Sequence, residues 1–233
     1  MLSSLAQQTR RDLVRVCIAH MPPNGSPSTD RVIEFFSPTV AIEPLIFTDY
    51  GRFQMRGFVR TDQLRSCSSE WILFSDADMV YHPEYFERLA LELEKHPAAT
   101  NIITSGRKTT EKKAAIDLVD GHVSDARVLI ADAFAKADAI TLPNIKRARA
   151  LGNSQIVNVK HGAHGGFYSP EGRKSDRGWG GRGQNTKSDF RFRNRISSAG
   201  GSFFPLNKWF RESVIHLNHD RDLEVHEHLE IQR

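Results

Sequence analysis

The stretch WILFSDADMVYHP, from Trp71 to Pro83, constrains the fold more than any other part of this sequence. Its apolar run WILF is typical of a strand covered on both faces, as in the parallel sheets of α/β proteins. Two carboxylates, Asp76 and Asp78, follow directly, although uncompensated buried charge is costly. Three explanations are open: the carboxylates bind a metal ion, form a turn, or cap a helix.

The composition is that of an ordinary soluble globular protein, with 233 residues of which 39% are hydrophobic and 26% charged. We expect one domain over 1–233, with an N-terminal half (1–100) and a C-terminal half (101–233). No apolar run approaches the ~20 residues that cross a bilayer. Cys17 and Cys67 lack CxxC partners, which argues against a disulfide framework or structural zinc. We therefore expect a cytoplasmic location, or one peripheral to a membrane, without a transmembrane segment or a nucleic-acid partner.

Hydrophobic periodicity predicts alternating strands and helices. Such alternation indicates an α/β fold with a mixed, mostly parallel sheet flanked by helices. Glycine-rich loops are expected in the middle of the segment from His161 to Phe210. The predicted strands are Leu13–His20, Ala41–Phe47, Trp71–Phe74, Asn101–Ser105 and the apolar pair before His216. The predicted helices are 1–9, 55–66, one from Pro83 to Pro97, one from about Ser124, and Asn144–Ala150, and Pro22–Asp30 is predicted to be a loop.

The two carboxylates can act together. In an extended segment, residues i and i+2 point to the same side, so Asp76 and Asp78 can converge beyond the carboxyl end of the strand. That edge of an open α/β sheet is where ligands bind. A hard cation such as Mn²⁺ or Mg²⁺ would relieve their repulsion and hold a substrate phosphate. From spacing alone, a turn at Asp76 and a helix cap at Asp78 explain the pair equally well.

The surrounding motif resembles that of a known family. The segment from Arg60 to Leu89, RTDQLRSCSSEWILFSDADMVYHPEYFERL, is similar to the central segment of inverting, family 2-like nucleotide-sugar glycosyltransferases of the GT-A fold. In that family an Arg-Asn pair precedes a helix and the sequence GEYILFLDAD. The family arginine precedes the first Asp by sixteen residues, as Arg60 precedes Asp76. The sequence departs from the family at Thr61, where an Asn is usual.

The C-terminal third carries a second part of the resemblance. GGFYSPEGRKSDRGWGG, SDFRFRNRI and VIHLNHDRD are similar, in that order, to motifs of galactosyltransferase and chondroitin-polymerase type enzymes. The resemblance implies that Gly165, Gly166 and Gly180 approach the donor and that Trp179 lines the sugar pocket. It also aligns His219 with the metal ligand of the family and His216 with the adjacent site residue.

The resemblance implies a catalytic base through the sequence spacing between an acidic residue and a following arginine. In the family the acidic pair follows GWGG directly, whereas RGQNTK, Arg182 to Lys187, intervenes here. Asp189 keeps the six-residue interval of the family to its arginine, which is Arg195. We therefore align Asp189 with the base, and Asp176 is the alternative.

The resemblance implies a metal-dependent, hexosyltransferase-like enzyme. It would move a sugar from a nucleoside-diphosphate sugar, expected to be a UDP-sugar, to the hydroxyl of a carbohydrate or glycoconjugate acceptor with inversion. The implied cofactor is Mn²⁺ or Mg²⁺. The implied metal ligands are Asp76, Asp78, His219 and His216, and the implied donor-binding residues are Arg60, Asp76, Gly165, Gly166, Trp179 and Gly180.

The N-terminus departs from the family pattern. SSLAQQT, Ser3 to Thr9, resembles the helix that follows the usual first strand, and His20 and Met21 replace acidic residues that contact uridine. The resemblance therefore implies a gap or exposed edge in the sheet. An alternative function is a weak or inactive GT-A-like protein that binds carbohydrate or a partner. A third is a metal-dependent enzyme acting on phosphate esters.

Overall fold

Strands and helices alternate along the chain, as the sequence predicts. The computed structural model describes residues 1–21, 27–53, 56–96, 101–103, 106–111, 113, 115, 117, 126–141, 155–160 and 188–217. The helices in this part are α1 (Leu2–Ala6), a 3-10 turn (Arg11–Leu13), α2 (Pro27–Phe36), α3 (Tyr50–Phe53), α4 (Arg56–Ser66), α5 (Tyr85–Glu94), α6 (Ala126–Lys136), α7 (Ser188–Ser198) and α8 (Lys208–Glu212). The strands are β1 (Arg15–His20), β2 (Ala41–Ile46), β3 (Trp71–Phe74), β4 (Met79–Tyr81), β5 (Asn101–Ile103), β6 (Gly106–Thr109), β7 (Asp138–Thr141), β8 (Gln155–Asn158), β9 (Phe203–Pro205) and β10 (Val214–His216).

The described strands form three sheets. β1 and β2 pair in parallel as a two-stranded sheet, with Arg15 opposite Ala41. A second sheet has the order β3-β8-β5-β9, and a third has the order β4-β10-β6-β7. The mixed α/β architecture is confirmed, but parallel pairs do not predominate in the described part. β8 returns antiparallel to both β3 and β5, and β4 pairs antiparallel with β10.

The main core joins the N-terminal helix to the strands and helices that follow the carboxylates. Leu5 of α1, Tyr81 of β4, Tyr85 of α5 and Phe210 of α8 are all buried in one cluster. Ser4 and Gln8 fix α1 further, since Tyr81 N donates to Ser4 Oγ at 3.2 Å and Gln8 Nε2 donates to the His82 carbonyl at 2.9 Å. The N-terminal segment is therefore anchored just beyond the turn that holds Asp76 and Asp78.

Helix α5 forms within the predicted span Pro83–Pro97, although it begins at Tyr85 rather than at Pro83. Tyr85 and Leu89 are buried on one face, while Glu84 and Arg88 form an ion pair of 2.6 Å at the surface. Within the described chain, no helix is both long and apolar enough to span a bilayer.

Several elements of the described part were not predicted: the 3-10 turn, α2, α3, β4, β6, β7, β8, β9, α7 and α8. Helix α2 begins at Pro27, inside the segment predicted to be a loop, and short helix α3 precedes the predicted helix α4. Strand β4 occupies Met79–Tyr81, where the sequence suggested only the approach to a helix. The predicted helix Asn144–Ala150 and the glycine-rich segment 161–187 lie outside the described residues.

The buried N-terminus makes stability depend on pH. Burial lowers the pKa of the Met1 amino group from 8.0 to about 6, and the Asp78 carboxylate acts weakly in the opposite direction. Between these values the unfolded chain binds a proton that the folded chain does not, so stability rises with pH. For the chain that begins at Met1, we expect a loss of about 2 kcal/mol in the free energy of unfolding between pH 8 and pH 6.

Urea unfolding at pH 6, 7 and 8 measures this effect. A chain acetylated at the Met1 nitrogen serves as the control, because it keeps every other titrating group and lacks only this one. The acetylated chain should lose less stability toward pH 6. An identical pH dependence for both chains would contradict the assignment.

Candidate active site

Hydrogen bonds that start from a buried tyrosine stabilise the turn between β3 and β4. Tyr81 Oη donates to Ser75 Oγ at 2.7 Å, and Ser75 Oγ donates to the Asp76 carbonyl at 3.0 Å. Tyr81 is 2% exposed. Burial raises the pKa of Tyr81, and the carboxylates of Asp76 and Asp78 raise it further, so the phenol stays protonated and donates. These bonds fix the backbone that carries both carboxylates.

Asp76 faces a buried arginine. Arg60 Nη2 of α4 lies 3.6 Å from Asp76 Oδ1, and the side chains are 6% and 22% exposed. The Arg60 guanidinium also lies over the Phe74 ring, 5.6 Å from its centroid. The spacing between arginine and aspartate noted in the sequence therefore corresponds to a contact, and α4 and β3 supply its two sides.

Asp78 faces a histidine from the far end of the chain. His216 Nε2 lies 3.1 Å from Asp78 Oδ2, with side chains 8% and 19% exposed. Antiparallel pairing of β10 with β4 places His216 opposite Met79, and Leu217 N donates to the Asp78 carbonyl at 2.9 Å. The helix cap considered for Asp78 is wrong, because α5 begins at Tyr85 and its N-cap is Glu84.

The second ring nitrogen of the histidine meets a threonine on β6. Thr109 Oγ1 lies 3.4 Å from His216 Nδ1 and donates to the His216 carbonyl at 3.1 Å. The roles of the two ring nitrogens depend on the tautomer. With its hydrogen on Nε2 the neutral ring donates to the Asp78 carboxylate, whereas with its hydrogen on Nδ1 it presents the Nε2 lone pair to a metal ion shared with that carboxylate.

The Asp78 and His216 pair fits a divalent cation in its chemistry and spacing. Carboxylate oxygen and imidazole nitrogen are both metal ligands. Adjacent ligands of an octahedral ion at 2.0–2.1 Å lie about 3 Å apart, close to the 3.1 Å observed. Among the described residues, no group of three or more His, Cys, Asp or Glu side chains is placed to hold an ion. These two residues would therefore be a partial ligand set.

The end of β1 carries a different pair. His20 is 9% exposed, and its Nδ1 lies 3.6 Å from Asp30 Oδ1 of α2. This is the position where the sequence resemblance places a contact with uridine. An acidic group is present there after all, although α2 rather than β1 supplies it.

Most of the predicted site residues from the C-terminal third lie outside the described part. Asp189 lies in the first turn of α7, and its role as the base stays a prediction. The other predicted site residues outside the described part are Gly165, Gly166, Asp176, Trp179, Gly180 and His219. Sequence reasoning missed Thr109, Tyr81 and Asp30, for which no local motif gave a signal.

The chain is similar to known proteins in sequence and in structure. Residues 59–119, which include Arg60, Asp76 and Asp78, match the family model described as Glycosyl transferase family 2. Residues 1–349 of S. aureus TarS in complex with UDP superpose with a TM-score of 0.62 at 12% identity, over 94% of this chain and 55% of that chain. The complex of the same protein with UDP-GlcNAc gives 0.59 at 12% identity, over 94% and 54%.

A mannosyltransferase also superposes. PcManGT from Pyrobaculum calidifontis, in complex with GDP-Man and Mn²⁺, gives a TM-score of 0.53 at 12% identity, over 96% of this chain and 53% of that chain. The chain thus spans about half the length of these structures. Comparison with curated proteins gives no match.

The superpositions show that the chain has the GT-A fold. Residues 59–119, which include the arginine and both aspartates, are similar to the corresponding segment of glycosyl transferase family 2. The resemblance noted in the sequence is confirmed.

The buried Arg60 and Asp76 pair should contribute to stability. We expect Asp76→Asn to lower the free energy of unfolding by about 1–3 kcal/mol, because it weakens a charge-assisted contact to a buried guanidinium. Urea unfolding measures the change. Asp12→Asn is the matched control, since the Arg10 and Asp12 pair is shorter, at 2.7 Å, but exposed. Asp12→Asn is expected to change the free energy of unfolding little, because both partners of that pair are exposed. An equal effect of both substitutions would show that burial does not determine the contribution.

Proposed function

We propose that this chain transfers a sugar from a nucleoside-diphosphate sugar to an acceptor hydroxyl with inversion, and that it uses a divalent ion. The observation that carries the proposal is the approach of His216 to Asp78 at the carboxyl end of β3. In open α/β sheets this edge binds ligands. The donors found in the superposed structures, UDP-GlcNAc and GDP-Man, are of this chemical class.

Asp78 and His216 would hold the ion, with Asp76 close by and His219 as a further ligand. A bound Mn²⁺ or Mg²⁺ supplies positive charge where the diphosphate leaving group becomes more negative. Stabilising charge that develops in the transition state lowers the barrier rather than merely tightening binding. The chain supplies the fixed positions: Tyr81 and Ser75 hold the turn, and Thr109 holds the imidazole.

Arg60 has a positioning role in this proposal. Its guanidinium is buried, lies beside Asp76 and stacks over Phe74. It therefore orients the Asp76 carboxylate. In that position Asp76 can accept hydrogen bonds from the sugar or ribose hydroxyls of the donor.

Asp189 is the proposed base. The acceptor hydroxyl attacks the anomeric carbon, a new carbon-oxygen bond forms, and the bond from that carbon to the diphosphate oxygen breaks. The hydroxyl proton passes to the Asp189 carboxylate. A single displacement of this kind inverts the anomeric centre. Asp189 lies in the first turn of α7, whose last turn carries Arg195, in keeping with the sequence interval that assigns it.

A second candidate function is the binding of a carbohydrate or partner without efficient catalysis. The β1 edge supports it, because His20 is engaged with Asp30 where a nucleoside contact is expected. The two candidates differ in whether a donor binds in the presence of metal.

Calorimetry with Mn²⁺ and a panel of UDP- and GDP-sugars tests the proposal. We expect donor binding that requires Mn²⁺ and that weakens at least about tenfold in Asp78→Ala and in His216→Ala, because each change removes a metal ligand. Glu94→Ala, an exposed position on α5, is the control and should bind as the parent chain does. Absence of donor binding would support the second candidate. Phosphate-ester hydrolysis that depends on Asp78 would indicate the third class considered from the sequence.

Asp189→Asn tests the base separately from the metal. It should keep donor binding but reduce the rate of sugar transfer to water by about 10²–10⁴-fold. The release of nucleoside diphosphate measures this rate. Asp176→Asn is the matched comparison, because Asp176 is the alternative base. A loss of turnover confined to Asp176→Asn would identify Asp176 as the base. Unchanged turnover in both variants would contradict the mechanism.

A further inference from the structure

Gln155 carries a buried amide for which the described residues supply no hydrogen-bond partner. It is the first residue of β8 and is 0% exposed. Among the described residues, neither its Nε2 nor its Oε1 is hydrogen-bonded. A buried polar group without a partner costs free energy, so nearly all such groups in proteins are paired. The Gln155 amide is therefore a candidate for a group whose partner is a ligand.

The pairing of β8 places this amide at the carboxyl edge of two strands. Gln155 lies opposite Phe74, the last residue of β3, and opposite Ile103, the last residue of β5. Both pairings are antiparallel, so β3 and β5 run in the same direction and end at the same edge. Asp76 follows Phe74 by two residues. The amide and the carboxylates thus share the edge at which open α/β sheets bind ligands.

The amide faces α4 and α7. Side chains directly opposite each other in an antiparallel pair lie on the same face of the sheet, and Phe74 is buried in one cluster with Phe192 of α7. Val157, two residues further along β8, belongs to the same cluster, as the alternation of a strand requires. Arg60 of α4 lies over the Phe74 ring. Gln155 is therefore on the face of the sheet that carries the Arg60 guanidinium.

The direction of α7 brings its first turn toward the same edge. β9 follows α7 after four residues, 199–202, and pairs in parallel with β5, so α7 ends near the amino edge of the sheet. The helix packs on this face through Phe192. Its 11 residues span about 16 Å, slightly more than the about 13 Å of a four-residue strand. The first turn of α7, which contains Asp189, therefore lies toward the carboxyl edge.

The chemistry of the amide selects the kind of group that can pair with it. Nε2 carries two hydrogens to donate, and Oε1 accepts. A phosphate or carboxylate oxygen only accepts, so it would leave Oε1 without a partner. An ammonium group only donates, so it would leave Nε2 without one. A hydroxyl both donates and accepts, and two neighbouring hydroxyls, as on a sugar ring, can meet both atoms of the amide.

In the proposed reaction, the position of Gln155 fits the transferred sugar. That sugar must lie between the ion at Asp78 and the base Asp189, because the bond to the diphosphate breaks as the acceptor hydroxyl attacks. Gln155 lies at this edge of the sheet, on the side of α7. The nucleoside is expected near His20 on β1. β8 pairs with β3, whereas β1 lines a cavity with β3 and does not pair with it in the described part.

We propose that Gln155 is a further donor-binding residue, whose amide exchanges hydrogen bonds with neighbouring hydroxyls of the transferred sugar. This inference rests on the proposed function. In the free chain, the described residues leave the amide buried and unpaired, and the bound sugar supplies its partners. An apolar residue of the same size should therefore stabilise the free chain and weaken binding of the sugar, a combination that a purely structural glutamine would not show.

Urea unfolding of the free chain tests the first half of this prediction. Gln155→Met and Gln155→Leu should raise the urea midpoint, because they remove an unpaired buried amide. Asn158→Leu is the matched control on the same strand: Asn158 is also buried, but its Oδ1 accepts from Lys160 N at 3.1 Å. It should lower the midpoint. A lower midpoint in both Gln155 variants would show that the amide is paired in the free chain and would overturn the proposal.

Calorimetry with Mn²⁺ tests the second half. The probes are UDP with UDP-GlcNAc, and GDP with GDP-mannose, so each sugar donor is compared with its own free nucleoside diphosphate. We expect Gln155→Met to weaken binding of the sugar donor at least about tenfold and to leave binding of the nucleoside diphosphate unchanged. Asn158→Leu should bind both probes as the parent chain does.

The outcomes separate this inference from the proposed function. If Gln155→Met leaves the affinity for the sugar donor unchanged, or weakens sugar donor and nucleoside diphosphate equally, the sugar contact is overturned while the proposed function stands. A parent chain that binds neither probe in the presence of Mn²⁺ would contradict the proposed function, and the sugar contact would fall with it.

Discussion

The pairing of β10 with β4 is the contact on which the site depends. Val214 and Ile215 are 2% and 0% exposed, and Ile215 lies opposite Val80. A shift of one residue in this pairing would exchange the two buried faces of β10, which pack into different clusters, and would turn His216 away from Asp78. The same strand pairs in parallel with β6, where Thr109 lies opposite His216. The imidazole is thus positioned by two neighbours, and neither belongs to the motif around the aspartates.

Much of the fold was predictable wherever a segment carries its own periodicity. β3 and α5 match their patterns closely because burial on one or both faces determines them. β4 was not predictable, because three residues are too few to show a hydrophobic periodicity. The strand is defined by its pairing with β10. Helix α2 was missed because turn-forming residues precede it, although proline is also a favoured first residue of a helix.

Four residues predicted for the site, Arg60, Asp76, Asp78 and His216, form two contact pairs, and the sequence did not predict these pairings. Spacing placed Arg60 and Asp76 in one motif, and the structure brings them into contact. The geometry of an extended segment predicted that both carboxylates converge on one point, whereas Asp76 contacts an arginine and Asp78 contacts His216. Motif order pointed to a late histidine, and geometry now assigns the described one, His216, to Asp78. Thr109 and Tyr81 act through tertiary contacts, which a local motif does not encode.

The two ends of the proposed donor site rest on different parts of the structure. Asp78 and His216 lie on the turn before β4 and on β10, which pair with each other. His20 and Asp30 lie on β1 and α2, and within the described residues the β1–β2 sheet pairs with neither of the other two sheets. The two ends are joined by packing instead, because Val16 of β1 and Tyr81 of β4 are buried in the same cluster. Since binding a nucleotide sugar requires both ends at a fixed separation, this packing contributes to affinity for the whole donor more than to affinity for the metal alone.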